Sequence, residues 1–151
     1  MNYQFRKGFK HKVTADVAGA VCEGLEKKGK LTGEQLVEVS RPEDAPLHKE
    51  FDWDDAVAGE KWRVHQARMI INSLVVIAPE TNTEVRKFYN IQMSKDDRKY
   101  ESIEAVMQKV EKRDILLRSA MRELSALRKK YAALSELAKV FDAIDGLENA
   151  V

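Results

Sequence analysis

Apolar residues in the C-terminal third recur alternately every three and every four positions. This spacing is a heptad, and it is typical of a helix that packs along one side against another helix. The series covers more than three repeats, so it predicts a C-terminal helical arm over residues 102–151. Its members are Leu117, Ala120, Leu124, Leu127, Tyr131, Leu134, Ala138 and Phe141. We expect the partner-binding face to consist of Leu117, Leu124, Leu127, Tyr131 and Leu134.

The heptad leaves two hypotheses open. The same pattern describes a helix packed inside its own chain and a helix presented to another chain, whether a second copy or a different protein. Arg113 interrupts the repeat. Either one helix runs from 102 to about 144, or the chain bends at residues 112–114 and Asp114 caps a second helix. The capping ability of Asp114 favours the bend.

Two short helices are predicted near the N-terminus. The first lies between Thr14, a suitable cap, and Gly29, a suitable stop. The second begins at Thr32, which forms a capping-box pattern with Gln35, and ends before Pro42.

A longer central helix is predicted from Trp53 to Asn72, with Asp52 and Asp55 as caps. Arg63 and Arg68 on this helix are candidate contacts with nucleic acid or a partner. The acidic residues that precede the helix would repel phosphate, so a core-facing side with a solvated opposite side is the favoured interpretation.

The periodicity then changes from helical to alternating. Residues 73–78 are rich in residues that favour strands and end at Pro79, whereas residues 85–93 have the period of two expected of a half-buried strand. A polar turn at 80–83 joins the two segments. We expect one β-hairpin over about 73–93. Because two strands alone are marginal, the hairpin needs a helix beneath it, a third strand near Lys99–Tyr100, or another chain. The fold class predicted is therefore α+β, mostly α, with a helical domain at 13–101 and the arm as part of the same domain.

The net charge of +1 conceals a segregated distribution. Residues 1–31 carry a net +4 and residues 32–60 a net −7. A protein that depended on phosphate contacts alone would have a larger basic excess. We expect residues 1–12 to form a flexible basic arm that contacts nucleic acid or docks on a partner, because aromatic residues alternate with its charges. Its charged candidates are Arg6, Lys7, Lys10 and Lys12.

No recognisable catalytic or metal-binding motif is present. His11, His48 and His65 have no metal-site spacing, and the lone Cys22 lies on an apolar helical face, which favours a core position. The sequence therefore predicts a non-enzymatic protein with no catalytic residue, metal or cofactor. Because no apolar run is long enough for a signal peptide or a membrane span, we expect a soluble cytoplasmic protein with no membrane contact.

One string of residues resembles a known group of proteins. It reads Arg-Pro-Glu-Asp-Ala-Pro-Leu-His at 41–48, Phe-Asp-Trp-Asp-Asp-Ala at 51–56, Glu-Lys-Trp-Arg at 60–63 and Gln-Ala-Arg at 66–68. The similarity continues through Tyr-Ala-Ala-Leu at 131–134 and Val-Phe-Asp-Ala-Ile-Asp at 140–145. These motifs resemble small uncharacterised proteins encoded by phages and prophages. The resemblance implies no catalytic residue in this chain.

The resemblance implies a phage protein that acts in the cytoplasm of a bacterial host. We expect an adaptor or regulator that binds a phage-encoded protein engaged in a DNA transaction, and that reaches DNA through this partner or through its basic arm. A recombination directionality factor acting on an integrase is an example. The alternative is a structural component of the virion head or neck.

Overall fold

The computed structural model describes residues 2–56 and 59–150. Within these residues the chain is α+β and mostly α, with six α-helices and two small antiparallel sheets, which confirms the predicted fold class. The elements are β1 (Tyr3–Phe5), α1 (Ala15–Lys27), α2 (Gly33–Ser40), α3 (Glu60–Ser73), β2 (Leu74–Ala78), β3 (Thr83–Arg86), β4 (Phe88–Ser94), β5 (Asp97–Ser102), α4 (Ile103–Met107), α5 (Val110–Lys130) and α6 (Ala138–Ala150). Two short 3-10 helices lie at His48–Glu50 and Ser135–Leu137.

The first two helices begin where local sequence signals place them. The Thr14 side chain accepts a hydrogen bond from the backbone N–H three residues later, and Thr32 does the same for Gln35 at 3.1 Å. Gly29 follows α1 with a φ of +66°, a conformation that glycine adopts without strain. The reciprocal half of the capping box does not form, because the Thr32 N–H donates to the carbonyl of Lys30. Local capping therefore determines both helix starts.

The third helix starts later than its sequence pattern indicates. The predicted start at Trp53 and the predicted caps Asp52 and Asp55 are wrong, because α3 begins at Glu60 and no side chain caps it. Residues 57 and 58, part of the predicted helix, lie outside the described residues. Both aspartates instead bind side chains of α3, as shown below.

The strands form two sheets instead of the predicted single hairpin. β1, β2 and β3 make one antiparallel sheet in that order, and β4 pairs with β5 in a second sheet. The predicted strand at 85–93 is split at Lys87, a buried residue whose backbone N–H donates to the carbonyl of Leu74 and whose carbonyl accepts from Ile103. The third strand considered near residues 99–100 exists as β5, and it pairs with β4.

The N-terminal segment is not the flexible arm that its composition predicts. Tyr3 lies in β1 with its side chain buried, and its backbone N–H donates to Asp16 at 2.7 Å. The Tyr3 hydroxyl donates to Glu23, and burial together with this bond raises the pKa of Tyr3 well above its ordinary value. Farther along, the backbone N–H groups of Lys12 and Val13 donate to Glu50.

The main core lies among α1, α2, α3 and the sheet that contains β2. Its fully buried members include Ala18, Cys22, Leu31, Leu36, Val37, Ile71, Leu74 and Phe88. The core position predicted for Cys22 is confirmed, and burial raises the pKa of its thiol to about 12.

The C-terminal region contains three helices, so both predicted arrangements of residues 102–144 are wrong. Ser102 caps α4 by accepting a hydrogen bond from the backbone N–H of Ala105 at 3.3 Å. The chain turns at residues 108–109, and α5 then continues through the predicted bend, with Asp114 inside it. A second break after Lys130 separates α5 from α6. The heptad series therefore spans two helices and a connection.

Candidate protein interface

Helix α5 is the longest helix among the described residues, and none of its 21 residues is buried. Its apolar side chains are only partly covered, with Leu117 47% and Leu127 40% exposed. Leu124, between them in the heptad, is half-buried. A helix in a compact domain normally hides its apolar stripe, so this one is unusual in presenting it.

The heptad residues of α5 share one side of the helix. At 3.6 residues per turn, Leu117, Ala120, Leu124 and Leu127 fall within one arc, which we name the apolar face of α5. The opposite side carries Ile115 and Arg118 and lies against the β4–β5 hairpin. The apolar face thus points away from the sheet. Contiguous exposed apolar residues of this kind mark interaction surfaces.

Helix α6 packs against α5 through a forked ion pair. Arg128 donates from Nε to one carboxylate oxygen of Asp145 at 2.6 Å and from Nη2 to the other at 3.0 Å. This hydrogen bonding raises the pKa of Arg128 and lowers that of Asp145. The same guanidinium lies 5.4 Å from the centre of the Phe141 ring, and both Phe141 and Ile144 are buried. The last heptad member therefore packs inside the chain.

Tyr131 and Leu134 lie in the connection after α5. They are 40% and 45% exposed, and the Leu134 N–H donates to the Tyr131 carbonyl at 2.9 Å. Their side chains add to the exposed apolar surface at the end of the helix. The five residues predicted to bind a partner are thus half-buried or exposed, on one helix and its adjoining turn.

The two candidate arginines of α3 have different surroundings. Arg63 is buried and donates to Asp55 at 2.6 Å, to Glu60 and to the carbonyl of Asp52. These contacts, led by the bond to Asp55, raise its pKa. Arg68 is exposed and forms an ion pair with Glu34 at 3.1 Å. The structure does not join them into one contact surface.

Arg63 belongs to a polar and aromatic cluster built from side chains between residues 41 and 66. Trp53 donates from its indole nitrogen to the carbonyl of His48 at 2.8 Å, and the two rings stack at 4.9 Å. Arg41 and Arg63 each lie 5.5 Å from the Trp53 ring. Asp52 accepts hydrogen bonds from α3 through the side chains of Trp62 and Gln66. These residues fasten the segment before α3 onto the helix, which is a structural role.

The four basic candidates of the N-terminal segment are exposed, whereas its aromatic residues pack on their own chain. The Arg6 guanidinium lies 4.9 Å from the Phe9 ring, and the Phe5 ring lies 4.0 Å from that of His11. Lys10 borders a shallow cavity at α3. The exposed charges are Arg6, Lys7, Lys10 and Lys12.

Within residues 2–56 and 59–150, no group of three or more His, Cys, Asp or Glu side chains is placed to hold a metal ion. No helix in that part of the chain combines the length and apolar character needed to cross a membrane.

A scan against protein-family models found no match, and searches of curated proteins and of solved structures found none either. The likeness to phage proteins therefore stays a prediction from the sequence.

Proposed function

We propose that this chain is a non-enzymatic phage or prophage adaptor, which uses the apolar face of α5 to bind a phage-encoded protein engaged in a DNA transaction. The observation that carries the proposal is the exposure of this face on a 21-residue helix with no buried residue. Leu117 and Leu127 are 47% and 40% exposed, so covering the rest of each side chain against a partner helix would contribute roughly 1 kcal/mol per leucine.

The charges around this face favour a partner with acidic residues. Arg113 on α5 and Lys130 at its end are exposed. Charges at the rim of an apolar interface influence partner choice and association rate more than affinity. A recombination directionality factor bound to an integrase is a concrete instance of the proposal. The phage context rests on the sequence resemblance.

Capture from infected cells tests the proposal. We compare the tagged wild-type chain with Leu117→Ser/Leu127→Ser and with a control, Val39→Ser/Met93→Ser, which removes exposed apolar side chains from α2 and β4. We expect the wild type and the control to recover the same phage protein of DNA metabolism, and the α5 variant to lose it. Equal recovery by all three chains would contradict the interface.

The alternative assignment to the virion head or neck gives a different result in the same infection. The chain would then be present in purified particles at a fixed ratio to the capsid protein. We expect it to be absent from them.

A further inference from the structure

A basic cleft lies on the side of α5 opposite the apolar face. It is a cavity of about 370 Å³ between α5 and the β4–β5 hairpin. The hairpin contributes Asn90, Gln92 and Arg98, and the helix contributes Ile115, Arg118, Ser119 and Arg122. We name it the arginine cleft.

Backbone geometry brings these side chains together. Gln92 is the cross-strand partner of Arg98, and Asn90 lies two residues before Gln92, on the same face of the hairpin. On the helix, the lining residues have the spacing i, i+3, i+4 and i+7, which places them on one side. The residues that line the arginine cleft therefore lie on two strands and a helix, and none of those named lies in a loop.

The arginine cleft contains cations without paired acids. Among the described residues, no carboxylate lines the cleft. In the same part of the chain, no carboxylate oxygen lies within 4.0 Å of a guanidinium nitrogen of Arg98, Arg118 or Arg122. Glu148 borders an adjoining cavity with Arg118 and Arg122 but forms no ion pair with either. By contrast, Arg41, Arg63, Arg68 and Arg128 are each paired with a carboxylate.

Neutral hydrogen bonds orient two of these guanidinium groups. Arg98 donates from Nε to the side-chain oxygen of Asn90 at 3.2 Å, and Arg122 donates from Nη2 to the hydroxyl of Ser119 at 3.0 Å. Each bond uses one of five N–H donors and leaves the positive charge uncompensated. Guanidinium groups in this state suit phosphate, which accepts two parallel N–H bonds.

The basic surface continues beyond the arginine cleft. A second cavity of about 190 Å³ shares Asn90 and Arg98 with it and extends to Arg68 and its ion-pair partner Glu34. The two neighbouring cavities present three unpaired arginines, Arg98, Arg118 and Arg122, and a fourth, Arg68, that is paired with Glu34. Four guanidinium groups are more than one phosphate group can engage. This extent favours a chain of phosphates over a single anion.

We infer that the arginine cleft binds the phosphate backbone of a nucleic-acid strand. Asn90, Gln92 and Ser119 supply neutral donors and acceptors for sugar and phosphate oxygens. Among the residues that the structure describes, no aromatic side chain lines the first cavity, so bases have no stacking surface there. Binding is therefore independent of base sequence. This site does not depend on the apolar face of α5, which lies on the other side of the helix.

The first test measures binding of a labelled oligonucleotide by fluorescence anisotropy over a range of salt concentrations. The cleft variant is Arg98→Gln/Arg118→Gln/Arg122→Gln. The control, Lys49→Gln/Arg113→Gln/Lys139→Gln, removes the same charge from exposed positions outside the cleft. We expect the cleft variant to bind roughly tenfold or more weakly and its log–log salt slope to fall by about 2 units. The control should stay within about twofold of wild type, and an equal loss in both variants would overturn the proposal.

A second test uses the wild-type chain, so it does not depend on how a variant folds. In a ¹⁵N-edited NMR titration, the side-chain amides of Asn90 and Gln92 should shift as oligonucleotide is added. Single-stranded DNA, duplex DNA, a free nucleotide and inorganic phosphate form separate arms. We expect the strand to displace phosphate from the cleft. Saturation by phosphate or nucleotide with no response to either DNA would overturn the assignment to a strand.

Discussion

Arg63 donates a hydrogen bond from Nη2 to Oδ1 of Asp55 at 2.6 Å, although the arginine side chain is 6% exposed and the aspartate side chain is 79% exposed. The carboxylate covers the guanidinium from the solvent side, while Glu60 and the carbonyl of Asp52 take further donors. One buried cation thus fastens residues 52–55 to the start of α3.

The first prediction concerns this fastening. Arg63→Lys should lower the Tm by several degrees, because a compact ammonium group cannot reproduce the spread of bonds that the planar guanidinium makes to Asp55, Glu60 and the carbonyl of Asp52. Arg41→Lys is the matched control, since Arg41 is exposed and binds Glu38 and Glu60 at the surface. Circular dichroism melts measure both. Similar small changes in the two variants would show that Arg63 has no special role.

The second prediction concerns the packing of β1 on α1. The Tyr3 ring lies directly over Gly19, where an added Cβ would collide with it. Gly19→Ala should therefore cost roughly 1–3 kcal/mol of unfolding free energy, and less in a Tyr3→Ala background. Gly24→Ala in the same helix meets open space and should stabilise by about 0.5–1 kcal/mol. Chemical denaturation measures the four variants, and a cost of Gly19→Ala that is independent of Tyr3 would contradict the packing.

The third prediction is a pH dependence from Cys22. Burial raises the thiol pKa to about 12 in the folded chain, whereas the pKa of an unfolded thiol is about 8.5. Below the pKa of the unfolded thiol, both the folded and the unfolded chain keep the proton. In this range the Cys22 thiol does not reduce the free energy of unfolding. Above it only the unfolded state ionises, and the free energy of unfolding falls by about 1.4 kcal/mol per pH unit.

Urea unfolding between pH 7 and pH 10 checks this dependence. The decline should be steeper for wild type than for Cys22→Ala, and the slopes are compared because the alanine also removes packing. Tyr3 adds a further decline only above its ordinary value of about 10. Parallel curves would show that Cys22 is accessible to water.

Local signals predicted some elements of this fold well. The caps Thr14 and Thr32 act within three residues of their own position, so the sequence alone identifies them. Asp52 and Asp55 have the same chemistry, but their partners lie eight or more residues away on α3. A cap and a tertiary partner are indistinguishable by residue type, which is why the predicted start of α3 was wrong.

The candidate sites were predictable to a lesser degree. The heptad identifies the apolar face of α5, but it cannot show that the helix ends at Lys130 and that Phe141 packs inside the chain. Arg118 and Arg122 are visible as an i, i+4 pair. Arg98 joins them only through the pairing of β4 with β5, and no local pattern reveals this third charge.

The fourth prediction separates surface from core in the C-terminal helices. Leu117→Ala/Leu127→Ala should lower the free energy of unfolding by at most about 1.5 kcal/mol in total, because the two side chains are 47% and 40% exposed and thus only partly covered. Ile144→Ala on α6 should cost about 2–4 kcal/mol, because Ile144 is 3% exposed. Chemical denaturation of the isolated chain measures both. A double variant as unstable as Ile144→Ala would place the α5 leucines in the core.

Site-specific photo-crosslinking during infection tests the adaptor function most directly. A photoreactive amino acid replaces Leu127 on the apolar face of α5, and a control chain carries it in place of Val39 on α2, which has similar exposure. We predict that irradiation joins position 127, but not position 39, to one phage-encoded protein of DNA metabolism. Crosslinks from position 127 only to its own chain or to a second copy would contradict the account.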